Sequence, residues 1–250
     1  MSNVGRARVM TYNVHSCRGS DRRLDPQRIV QVIQALAPDV VALQELDVGQ
    51  HRSRTVDQAS LVAEGVGMQV HFTSARDCDG GHYGNAVLSR LPSRLQQGGL
   101  LPRLGDESEA RVAQWVVVDF PWGPLDVLNT HLALRRRERW LQTQSLLGEQ
   151  WLASPLLGDH AVFCGDLNAV PRSSVYEAFR GRMKDAQLLA SGGRPQRTFP
   201  ALLPFIRIDH VFISDALAVE RVHVPGDRLS RLASDHRPLV VDLVCHGLGP

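Results

Sequence analysis

The stretch VFCGDLNAVP, residues 162–171, opens as an apolar β-like run and then sets Asp166 and Asn168 two residues apart just after Gly165. A buried strand passes into a turn most readily through Gly, Pro, Ser or Asn, chosen for backbone reasons. Here an acid and a carboxamide flank Leu167. In an extended chain residues two apart share a face, so both polar groups would point one way while Leu167 packs behind them.

The same kind of ending recurs along the chain. VMTYN reaches Asn13, VVALQE reaches Glu45, VLNTH carries Asn129 and His131, IRIDH carries Asp209 and His210, and ASDHRP carries Asp235 and His236. Apolar strands that end repeatedly in carboxylates, carboxamides and imidazoles predict that their ends converge on one polar cleft. Adjacent residues of a regular strand face opposite ways, so Asp235 and His236 can serve one site only from the loop entering the last strand. Pro238 marks that boundary.

Around these endings, β-like runs alternate with helical patterns, which implies an α/β or α+β fold. The clearest helix follows Asp25 as N-cap, with Pro26 in its first turn and Ile29, Ile33, Leu36 and Ala37 along one face, and stops at Pro38. A second helix is predicted from about Glu138 to Leu152 and a short third from Ser173 or Ser174. Pro-Trp-Gly-Pro at 121–124 reads as a hairpin turn. No linker-like tract divides the chain, so residues 1–250 are expected to form one domain.

Bulk properties narrow the function. With 28 basic and 26 acidic residues the formal charge is +2, so this is no polycation built to coat nucleic acid or an anionic membrane. Cys17, Cys78, Cys164 and Cys245 have neither disulfide-framework nor zinc-site spacing. The strand-like RVMTYN begins within a few residues of Met1, and no apolar run approaches the roughly 18–20 residues of a membrane span. A reduced, cytoplasmic protein without stable membrane insertion is expected, and no protein partner is predicted.

Glu and Asp with an Asn carboxamide are hard oxygen donors suited to Mg²⁺ or Mn²⁺, and no HExxH or Cys cluster points to zinc. Such a cation neutralises charge developing on a phosphoryl group, and a nearby His can take a proton from attacking water. The combination predicts phosphate-ester hydrolysis. No Gly-rich nucleotide loop, GxSxG or Cys/His pairing offers another route.

In this order TYN, PDVVALQE, GNAVLSR, LNTHL, GDLN, IDHVF and SDHRPL resemble the endonuclease/exonuclease/phosphatase superfamily, the DNase-I-like fold, over nearly the whole chain. The resemblance implies a four-layer sandwich: two mixed β-sheets packed face to face with flanking helices, and the site at one edge. It implies Glu45, Asn13 and Asp235 at the metal, His236 activating water with Asp209 orienting its ring, and His131 donating to a phosphoryl oxygen. Asn168 would hold another oxygen, and Asp166 would position water or a second cation. Both Asp166 and His236 stand as candidates for the base. Asn85 is expected behind the site residues or on their substrate side, and Tyr83, in the Gly-rich GGHYGN loop, reads either as plain turn chemistry or as a substrate-side residue lining the cleft. Arg135, in the RRRER run at 135–139, is a candidate for steering anions, against the usual reading of such a run as a solvated helix face.

The expected substrate is a phosphodiester: nucleic acid, or a phospholipid or inositol headgroup. A binding module that keeps the fold without catalysis is the alternative, but such a chain normally loses ligands, and none is missing here. The remaining histidines, His15 among them, are expected at surface or satisfied core positions.

Overall fold

Residues 40–43, VVAL, have no polar face because both of their faces are covered. The computed structural model describes residues 4–78, 80–105, 107–190 and 194–246. In chain order its elements are β1 (Val4–Asn13), α1 (Pro26–Leu36), β2 (Val40–Val48), α2 (Gln58–Val66), β3 (Gln69–Cys78), β4 (Gly81–Ser89), β5 (Ser93–Leu100), β6 (Val112–Phe120) and β7 (Gly123–His131). They continue with α3 (Arg136–Leu146), β8 (Ala161–Asp166), α4 (Ser174–Arg180), β9 (Lys184–Asp185), α5 (Ala186–Leu189), β10 (Asp209–Ile213), β11 (Leu217–His223), α6 (Arg228–Leu232) and β12 (Leu239–His246).

Two six-stranded mixed sheets result, ordered β11-β12-β1-β2-β4-β3 and β5-β6-β7-β8-β10-β9. Side-chain alternation assigns the layers. Val9, Val40, Ala42 and Val241 of the first sheet meet Val116, Val127, Val162 and Val211 of the second. Their neighbours Met10, Tyr12, Val41 and Leu43 face the other way, onto Ile29 and Ile33 of α1 and Val62 of α2. Trp115, Leu128, Phe163 and Phe212 likewise lie under Leu146 of α3 and Phe179 of α4. Each such side chain contributes roughly 1.5–3 kcal/mol on burial, which is why both faces of these strands are apolar. The expected sandwich with flanking helices is present.

Helix α1 begins as predicted, with the Asp25 side chain accepting from Gln27 N–H and Pro26 at the first position. Its buried face is Ile29, Val30, Val32 and Ile33, whereas Ala37 is the left-handed cap at φ 47° and points to solvent. The predicted helix to Leu152 stops at Leu146, and Trp151 and Leu152 enter the core from the turns beyond Gly148. Helix α2 and strands β3 and β5 had no clear sequence signal; β5, SRLQQGGL, is a polar edge strand. The Pro121–Pro124 turn joins β6 to β7 as expected. Among the described residues no helix is long and apolar enough to cross a membrane.

Candidate active site

Each sheet contains one parallel pair made by a helical crossover, β1 with β2 through α1 and β7 with β8 through α3. Parallel strands end together, and the space beyond their carboxyl ends is where such sheets place ligands. Asn13, His131 and Asp166 are the last residues of β1, β7 and β8. Asp209 opens β10 directly opposite Asp166. Asp235 and His236 stand in the loop before β12, as the alternation argument required.

Two backbone irregularities aim the side chains. Leu43 pairs with Ala86 and Leu46 with Gly84, so Gln44 and Glu45 together oppose the single residue Asn85. This is a β-bulge, and Glu45 occupies the left-handed region at φ 62°. Gln44 turns inward, donating to Asn129 Oδ1 at 2.8 Å, while Glu45 is delivered to the cleft. At Gly165, φ is 141°, and a Cβ there would lie 1.9 Å from the Thr130 carbonyl oxygen. Only glycine lets β8 approach β7 this closely at the point where it leaves the sheet.

The segment after Gly165 is not extended. Asp166 Oδ1 accepts from Asn168 N–H at 2.9 Å, and Asn168 has φ 47°, so a tight turn rather than a continued strand brings the pair together. Leu167 packs fully buried behind them, as its position predicted.

Contacts cross the seam between the sheets. Asn13 Nδ2 donates to Glu45 Oε1 at 2.8 Å and to Asp166 Oδ2 at 3.0 Å, and its Oδ1 accepts from His15 N–H. Asn13 therefore holds two carboxylates instead of offering its oxygen to the cleft. His236 lies between Asp209, with Nδ1 to Oδ2 at 2.9 Å, and Asp166, with Nε2 to Oδ2 at 3.6 Å. Thr198 Oγ1 also donates to Asp209 Oδ2. His131 Nδ1 accepts from Arg111 at 2.9 Å, since a guanidinium has only donors. The ring proton thus sits on Nε2, 3.5 Å from Asp166 Oδ2, and Asn168 Nδ2, which donates to the Leu132 carbonyl at 2.9 Å, stands 3.1 Å from the same nitrogen as a second donor, so that both N–H groups need an acceptor from the cleft.

These environments separate the protonation states. Burial disfavours charge on His236, but the carboxylates of Asp209 and Asp166 outweigh it and hold the imidazolium up to about 10. Burial, reinforced by the cations at Arg111 and His236, pushes His131 well below the ordinary range, so it is a neutral N–H donor. Burial raises the Asp166 carboxyl, against the pull of His236. A cation, a neutral imidazole and a reluctant carboxylate surround one point, an arrangement suited to moving a proton beside a phosphoryl group.

The cleft of about 400 Å³ is lined by Glu45, His131, Asp166, Asn168, Asp235 and His236. Tyr83 also lines it, its ring flanked by Arg52 and Arg76 with guanidinium carbons 5.3 and 5.5 Å from the centroid. Asn85 does not; it is buried between the sheets and donates to the Val112 carbonyl at 3.4 Å. Arg135 does not line it either; it stands at the N-cap position of α3 without a side-chain capping bond and lines a neighbouring depression of about 160 Å³. His15, expected at an ordinary position, instead lines the cleft 3.7 Å from Asp235. Sequence reading missed Arg111, whose only signal is a cation inside an otherwise apolar strand start, and Asp47, which is fully buried and held by Arg52 at 2.6 Å.

The model of the Endonuclease/Exonuclease/phosphatase family matches residues 10–236. The chain belongs to that family. Within the endonuclease/exonuclease/phosphatase family it is similar to YbhP of Escherichia coli, an uncharacterised protein, at 26% identity over 94% of this chain and 95% of that protein. A family structure from Beutenbergia cavernae is 26% identical, with a TM-score of 0.73 over 97% of this chain and 72% of that one. The mannosyl-6-phosphatase of Bacteroides thetaiotaomicron shares the fold at TM-score 0.75 and 20% identity, over 95% of this chain and 99% of that one. Family membership makes this chain a phosphoester hydrolase.

Proposed function

We propose that the chain is a Mg²⁺-dependent phosphodiester hydrolase in which water attacks phosphorus in line with the leaving oxygen. The observation that carries this reading is Asp166 set between the His236 imidazolium and the neutral His131 N–H. Asp166 takes the proton from water, and His236, oriented by Asp209, faces the growing negative charge. His131 Nε2–H, and the Asn168 N–H not used on the Leu132 carbonyl, donate to phosphoryl oxygens. The free thiols at Cys17, Cys164 and Cys245 support a reducing, cytoplasmic setting.

The donor set fits a hard divalent cation. Glu45 and Asp235 are carboxylates that line the cleft with 21% and 37% of their side chains exposed, and Asn13 steadies Glu45 from behind. Asp166, Asp209 and His236 also bring ligand atoms within 4.8 Å, but His236 there is a cation locked between its partners, so Glu45 and Asp235 are the better holders. When bound, Mg²⁺ or Mn²⁺ would offset negative charge on the phosphoryl oxygens.

Phosphomonoester hydrolysis is the second reading, supported by the extra buried cation Arg111 behind His131, which suits a dianionic group. Nucleic acid and phospholipid or inositol headgroups are the candidate natural diesters. A screen with Mg²⁺ across bis-p-nitrophenyl phosphate, p-nitrophenyl phosphate, DNA, RNA and phospholipids separates these readings. Faster turnover of the diester than of the monoester, abolished by EDTA, is expected; the reverse order would favour the phosphatase.

A further inference from the structure

Residues 198–208 fold back on themselves, with Phe199 paired to Ile206, and the segment serves two cavities. Toward the cleft, Thr198 Oγ1 reaches Asp209, the Phe199 ring lies 4.7 Å from the His236 ring, and Ile208 lines the wall. Away from it, Phe205, Ile206 and Arg207 form one wall of a separate groove of about 530 Å³, completed by Val170, Tyr176 and Leu188.

The groove combines an apolar wall with a cationic rim. Val170, Leu188 and Phe205 are exposed by 48%, 53% and 63%, adjacent large apolar surfaces that a folded chain ordinarily covers. Arg172, Arg180 and Arg197 stand exposed around them, and the one acid in the lining, Glu177, lies 3.5 Å from Arg180.

Arg207 supplies the second observation. Its side chain is only 5% exposed, and its Nη2 is held by the fully buried Asp185 carboxylate, which also accepts from Tyr176 OH at 2.6 Å. Its Nε is buried with no acceptor among the described residues, although the side chain lines the groove. A buried N–H without an acceptor is unfavourable, and a small shift of this guanidinium toward an anion in the groove would satisfy it.

We propose that this groove is a binding site for an organic anion with an apolar body: a carboxylate or phosphonate head among the arginines, and a chain or ring laid across Phe205 and Leu188. Charge and apolarity together exclude a bare inorganic anion and an uncharged hydrocarbon as preferred occupants.

Isothermal titration of the full chain with decanoate tests the site. Saturable binding at one site is expected, with acetate at least tenfold weaker. The double variant Arg172→Glu/Arg197→Glu should weaken decanoate at least tenfold and Phe205→Ser at least fivefold. All three positions are exposed, and unchanged circular dichroism and Tm would verify folding. Glu45→Ala, in the cleft, should leave decanoate affinity unchanged. Absence of saturable binding, equal affinity in the charge-reversed variant, or loss of binding in Glu45→Ala would overturn the proposal.

Discussion

His236 Nδ1 and Asp209 Oδ2 are hydrogen-bonded at 2.9 Å, with both residues buried and the far ring nitrogen facing a second carboxylate, that of Asp166. Asp209→Asn preserves shape and removes one charge. The His236 pKa, followed by NMR, should then fall from about 10 toward its ordinary range. Hydrolysis of bis-p-nitrophenyl phosphate should drop about 10²- to 10⁴-fold, the range seen when the partner of a catalytic imidazole is neutralised. An unmoved His236 titration would show that Asp209 does not set its charge.

Arg111→Met removes the donor to His131 Nδ1 while keeping an unbranched apolar stem. His131 can then place its proton on either nitrogen, so kcat should fall at least about tenfold with KM little changed, as expected for a contact made mainly in the transition state. A rise in KM alone would make Arg111 a binding residue instead.

Glu45 holds a left-handed backbone at φ 62°, a conformation that costs a non-glycine residue roughly 1–3 kcal/mol. Glu45→Gly should therefore keep or raise the Tm while Mg²⁺ binding by calorimetry and turnover both disappear. A Tm lowered by several degrees would identify Glu45 as a structural residue.

His210 is fully buried, and burial, with the nearby Arg207, pushes it down to about 4; its Nε2–H donates to the Ala169 carbonyl at 2.8 Å. The unfolded chain protonates this ring below about 6.5. Stability from the neutral ring is complete above that pH and is lost as pH falls toward 4, by on the order of 3 kcal/mol. Urea unfolding at pH 7 and pH 4.5 measures the loss, and His210→Phe should flatten that part of the profile.

The endings at Asn13, His131 and Asp166 were legible because a strand's last residue inherits its place from the apolar run before it, and Asp209 because it heads the apolar run of β10. The departures from regular geometry that deliver side chains were not, even where the residue itself was named. Asn168 was expected on an extended strand and sits in a turn at φ 47°; Glu45 reaches the cleft only through a bulge. His15 enters it through a left-handed turn in which His15, Ser16 and Cys17 have φ of 48°, 50° and 57°. Arg111 was invisible for another reason: its partner His131 lies on the neighbouring strand, and nothing local marks the pair. Arg135 shows that nearness in sequence to a site residue does not fix the direction of a side chain, whereas Asn85 backs the bulge that delivers Glu45.

The place of β12 in its sheet, between β11 and β1, has a consequence for the order of assembly. Strand β1 waits for β12, because β12 is its antiparallel neighbour and the loop entering β12 carries Asp235 and His236. A chain emerging from the ribosome therefore displays Glu45, His131 and Asp166 long before it can hydrolyse anything. Hydrolytic competence arrives only with closure of β12, so the nascent polypeptide stays harmless to nearby phosphate esters until the segment carrying Asp235 and His236 has docked.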